Sequence, residues 1–138
     1  MTSTIDARGC TALTAIDAPA AKTLDARERP FDKLRVSGKL APGDWETNTR
    51  RWLTGEALRR LHERLSSEYP EVSLFAADKL HAATLAAGAL GWTVLVCIVI
   101  EGKSVSECRS DVRCTAAAIH YRLRNALDAI APVVGITS

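Results

Sequence analysis

An all-α fold, a small helical domain ending in a helix-turn-helix, is predicted by three observations on the 138-residue sequence. Apolar residues recur three and four positions apart in several stretches, which is the spacing of one face of a helix. Helix start and stop residues bracket those stretches: Ser104 with Glu107, Thr115, and the prolines at 70 and 132. An uncharged run from Leu80 to Ile100 has room for a buried central helix. The composition, 47% apolar and 25% charged, is that of one compact domain.

In chain order, residues 1–26 are rich in Ala, Thr and Asp, are interrupted by Gly9 and Pro19, and carry no sustained apolar stripe, so a mobile N-terminal segment is expected. Residues 27–70 form a basic helical segment. "ERPFDKLRVSGKL" spaces Phe31, Leu34 and Val36 for one short helix ended by Gly38, and "APGD" follows as a loop. Thr54 is then placed to cap a helix with Leu58, Leu61 and Leu65 on one face, ending before Pro70.

Residues 71–138 hold the central apolar helix and the terminal helices. The run from Leu80 to Ile100 raises a membrane span as an alternative. Two glycines, three polar side chains (His81, Thr84, Thr93) and many alanines weigh against it, and no membrane partner is expected. Gly88 and Gly91 are the places where this helix is expected to split. Beyond it, Ser104 begins a two-turn helix over Val105–Val112 with Val105, Cys108 and Val112 inward, and Arg113 and Cys114 make a tight connection. Thr115 caps a last helix whose buried stripe is Ile119, Leu123, Ala126, Leu127 and Ile130, with Pro132 as its stop.

The charge is uneven: −1 over 1–26, +4 over 27–64, −3 over 65–102, +3 over 103–124 and −1 over 125–138. Two basic blocks on an otherwise near-neutral chain point to positive surfaces with a polyanionic or protein partner. The four cysteines form no CxxC pair and no charged-then-apolar leader opens the chain, so a reducing, cytoplasmic setting is expected. Cys108, Cys114 and His120 match no zinc spacing and lack a fourth donor, so neither metal nor cofactor is expected. Cys97 and Cys108 read as small core residues and Cys114 as partly buried. Pairs such as His62 with Glu63 or His81 with Asp78 have no phosphate loop or nucleophile elbow around them, and an enzyme is not expected.

The segment "EGKSVSECRSDVRCTAAAIHYRLRNALDAI" resembles the DNA-binding module of sigma factor region 4. Glu101 and Gly102 take that family's acidic-glycine corner, Ser104 its cap, Cys108 and Val112 the core of the supporting helix, and Ile119 and Leu123 that of the recognition helix. Arg113 stands where the family usually has a turn former such as Gly, and Cys114 where it has an aliphatic residue. Extended back through "GWTVLVCIVI", the segment is also similar to a C-terminal helical domain of alphaproteobacterial regulators, including activators of gene transfer agents and prophage-like late genes.

The first resemblance implies insertion of the last helix into the major groove of double-stranded DNA, in a sequence-specific transcription regulator acting near RNA polymerase. Ala116, Ala117, His120, Tyr121 and Arg124 lie off the buried stripe and would face the duplex. Ser104, Arg109, Arg113, Thr115, Arg122 and Arg124 would brace the phosphates. Each has a plainer role: His120 as a solvent-facing residue, Tyr121 packed on the supporting helix, Arg122 paired with Asp111 or Glu107. For the upstream block, Arg50, Arg51, Arg59, Arg60 and Arg64 with Trp45 and Trp52, the favoured role is a solvated face whose Trp52 and Leu58 pack on the central helix. A small terminase-like packaging protein and a polymerase-binding interaction module are the alternatives, and a homodimer through the last helix or the Leu80–Ile100 region fits either DNA-binding role.

Overall fold

The computed structural model describes residues 29–136, which are all-helical with no strand among them. The expected mobile segment 1–26 lies outside the described residues. Five helices follow one another: α1 (Pro30–Val36), α2 (Trp45–Arg64), α3 (Pro70–Leu95), α4 (Val105–Val112) and α5 (Ala116–Ile130), with a π-helical turn over Val96–Ile100 continuing α3.

Helix α1 begins with proline at its first turn, where the missing N–H costs nothing, and buries Phe31. The chain turns back at Gly38 (φ +73°). Asn48 of α2, fully buried, holds this turn: its Oδ1 accepts from the Leu40 N–H at 3.0 Å and its Nδ2 donates to the Arg35 carbonyl at 2.9 Å. The ring of Phe31 lies so close over Gly55 that any side chain there would collide with it.

The start of α2 corrects the sequence expectation. The cap is Asp44, whose Oδ1 accepts from the Thr47 N–H at 3.0 Å and whose Oδ2 accepts from the Thr47 hydroxyl at 2.7 Å. Thr54 is ten residues into the helix and buried, its hydroxyl donating to the Arg50 carbonyl at 2.9 Å. Thr54 has a cap's side chain, but the helix already runs from Trp45 and passes through Thr54 and Gly55, where the Phe31 ring packs. Leu58 and Leu61 are buried as expected, whereas Leu65 falls at the C-cap and is exposed.

Helix α3 starts at Pro70, earlier than the uncharged run suggests, and Gly88 (φ +79°, ψ 167°) breaks it. Only glycine adopts that backbone without strain. Gly91, the other expected break, stays helical and does different work: a Cβ there would lie 3.2 Å from the Cβ of Ala126, so α3 and α5 cross in close contact. Beyond the break, Val94, Leu95, Cys97, Ile98 and Val99 are buried against α2 and α5. By length and composition Pro70–Ile100 is apolar enough to cross a membrane, yet its second half is the centre of the core.

That core is continuous through all five helices, with Leu58, Leu95, Ile98, Ile119, Leu123, Leu127 and Ile130 fully enclosed. Its buried acids have partners. Asp32 accepts from the Trp52 indole N–H and from Arg29, both at 2.6 Å, and Glu56 accepts from Arg59 at 2.8 Å. Arg35 stacks 4.2 Å over the ring of Trp52, which half-buries this tryptophan on the core.

Candidate nucleic-acid interface

The terminal helices take the predicted spans. After the π-helical turn, Gly102 (φ +74°) makes the corner, with the Lys103 N–H on the Cys97 carbonyl at 3.0 Å. Ser104 and Glu107 form the reciprocal cap: the serine Oγ accepts from the Glu107 N–H at 3.1 Å, and Glu107 Oε1 accepts from the Ser104 N–H at 2.9 Å. Cys108 is buried, and Val105 and Val112 are half-buried beside it.

The connection to α5 is three residues, Arg113 to Thr115. Arg113 sits in the left-handed region (φ +55°, ψ +45°), the only such non-glycine among the described residues. A non-glycine residue is therefore held in a conformation that glycine adopts freely, at a cost of about 1 kcal/mol. Thr115 then caps α5, its Oγ1 accepting from the Ala118 N–H at 3.1 Å. The buried stripe of α5 comprises the expected Ile119, Leu123, Ala126, Leu127 and Ile130.

Ala116, Ala117, His120, Tyr121 and Arg124 share one arc of α5, with Ala117 and Tyr121 exposed and the others half-buried. Tyr121 is 66% exposed, so its ring does not pack on α4. Arg122 projects from the other flank of the helix. The carboxylates considered for it are engaged elsewhere: Asp111 binds Lys103 at 2.7 Å, and Glu107 serves the cap. That Lys103 pairing, reinforced by Glu101 at 3.4 Å, raises the lysine's affinity for its proton and holds the Asp111 carboxyl below its usual range.

With those acids occupied, the positive charge of residues 103–124 resides on arginines. Arg109 and Arg113 are exposed and have no carboxylate partner among the described residues. They line an open concavity of about 460 Å³ with Ser106, Ser110, Cys114 and Thr115, at the N-terminal end of α5. Ser106 and Ser110 escaped the sequence reading, although their spacing around Arg109 puts all three on one face of α4.

Lys39 was missed for a better reason: it is brought in from the upstream block by the fold. Its carbonyl accepts from Arg124 Nε at 3.2 Å and Nη2 at 2.8 Å. Between them, His120 has its proton affinity lowered, first by burial and then by the charges of Arg124 and Lys39, and its Nδ1 has no hydrogen-bond partner. Much of the remaining upstream block is spent inside the fold. Arg51 makes a two-pronged pair with Asp128 (2.9 and 2.7 Å), and Arg59 bridges Glu56 and Glu63.

Nothing here resembles a metal centre: among the described residues no three of His, Cys, Asp and Glu gather in a group able to hold an ion. Burial pushes the Cys97 thiol up to about 12, with a contribution from its contact with Cys108, so both sulfurs act as core atoms. No protein-family model, curated protein or solved structure matches the chain.

Proposed function

We propose that the α4–turn–α5 unit binds double-stranded DNA, and that the protein is a sequence-specific transcription regulator. One observation carries this reading. Arg113 is held, exposed, in a backbone conformation that glycine would adopt at lower energy, beside the equally exposed Arg109 and the start of α5. A strained cationic turn reduces stability and is accounted for by a ligand that needs its charge. Phosphate is that ligand in a helix-turn-helix, where the turn and the supporting helix brace the backbone.

In this arrangement Ala116 and Ala117, at the leading end of α5, let the helix sit deep in a groove about 12 Å wide. Tyr121 and the neutral imidazole of His120 offer hydrogen bonds to base edges, and Lys39 and Arg124 extend the cationic surface along the same arc. Ser104 and Thr115 use their oxygens as caps, leaving each hydroxyl proton for a phosphate. Arg122, on the opposite flank, contributes long-range charge.

The test is titration of the full chain with fluorescent duplexes over a salt series, after selection of a preferred sequence from a random pool. Binding should weaken with salt, and Arg109→Ala should flatten the log affinity against log salt slope by about 1. No binding at low salt, or a slope indifferent to Arg109 and Arg113, overturns the proposal and favours a polymerase-docking module. Large closed rings by mass would favour a packaging protein.

A further inference from the structure

The first half of α3 carries a face that none of the other described residues covers. Leu74 is 66% and Leu85 71% exposed on one stripe of this half, with the exposed Asp78 and His81 between them. Neither Asp78 nor His81 enters an ion pair with another described residue. The apolar stripe of α5, by contrast, is used up inside the monomer, so the last helix offers no comparable face.

The order of this stripe is self-complementary. A two-fold axis crossing α3 between Lys79 and Leu80 sets Leu74 opposite Leu85 of a second copy and Asp78 opposite its His81, each pair occurring twice. At about 100° per residue these four side chains fall within a narrow sector, and Ala77 and Ala82 flank it symmetrically, small enough for close approach. All six are exposed. An imidazole N–H donating to a carboxylate at both ends of the dyad satisfies the polar groups that the leucines help to dehydrate.

We propose that two copies of the chain associate through antiparallel packing of this half of α3, with Leu74–Leu85 and Asp78–His81 pairs across the axis. This does not depend on the DNA reading. One helix face of this length gives an interface at the small end of specific ones, so the dimer should dissociate on dilution.

Sedimentation equilibrium of the full chain over a concentration series tests it, with circular dichroism to confirm that each variant is folded. Expected are a monomer–dimer equilibrium, at least tenfold weaker association for Leu85→Glu, similar weakening for His81→Asp, and recovery when Asp78→His is combined with His81→Asp. A monomer at every concentration overturns the proposal, as does a dimer indifferent to Leu85→Glu. Failure of the double exchange to recover association rejects the antiparallel register. Flotation with phosphatidylcholine vesicles that is lost in Leu85→Glu, without any dimer, assigns the face to a lipid surface instead.

Discussion

Arg124 of α5 and Lys39 of the loop after α1, 85 residues apart, are joined by two hydrogen bonds from one guanidinium to one carbonyl oxygen. The arginine expected to reach phosphate is thus also a tie between the two basic blocks. Arg124→Ala should lower unfolding stability by about 1 kcal/mol, measured by urea denaturation, while weakening DNA binding. Arg124→Lys keeps the charge but loses the fork, so the salt slope should return and the stability should not.

Arg113→Gly separates stability from binding. Relief of the left-handed strain should raise stability by about 1 kcal/mol. The same change should reduce DNA affinity and flatten the salt slope by about 1. Arg113→Ala loses the charge and keeps the strain, so its melting temperature should stay near that of the unaltered protein.

Ala117 and Ile119 lie two residues apart with opposite exposure. Ala117→Glu should abolish DNA binding through repulsion of phosphate, with thermal unfolding changed by less than about 0.5 kcal/mol. Ile119→Asp should unfold the protein, because a carboxylate would be buried among Leu123 and Cys108 without a partner. Unfolding in the Ala117 variant would mean that the face is assigned wrongly.

Two glycines should resist alanine for different reasons. Gly55→Ala drives a methyl into the Phe31 ring and should cost about 1–3 kcal/mol by overpacking, more than the helix-propensity gain of up to about 1 kcal/mol. Gly88→Ala meets no neighbour but must hold φ +79°, and should cost about 1–3 kcal/mol from backbone strain alone. Thermal melts of both variants check this.

Burial, and after it the charges of Arg124 and Lys39, lower the proton affinity of His120 below that of an ordinary imidazole. The unfolded chain therefore binds this proton more readily than the folded one. No stability is lost above the unfolded value, and stability declines as pH falls through it toward the lower folded value. Urea midpoints between pH 7.5 and 5 should fall less steeply in His120→Gln than in the unaltered protein.

The terminal helices were legible because their signals are local. Ser104 with Glu107, Thr115 three residues before Ala118, and the stripe from Ile119 to Ile130 each act within one or two turns of chain. Thr54 misled for a different reason: its residue type suits a cap, but the helix begins after Asp44 and passes through Thr54 and Gly55, where Phe31 packs. Tyr121 and Arg122 were ambiguous because exposure and pairing depend on what other side chains have already bound, such as Asp111 taken by Lys103.

By itself, the sequence determined the all-helical class, the limits of α4 and α5, and the inward face of α5, since short-range hydrogen bonding and apolar periodicity operate without reference to distant residues. Tertiary structure alone decided which cations remain available. It tied Arg51 to Asp128 and Arg124 to the Lys39 carbonyl, left Arg109 and Arg113 exposed, and left Leu74 and Leu85 uncovered. Those outcomes arise from contacts between segments tens of residues apart, where the packing of one helix decides what surface another has left.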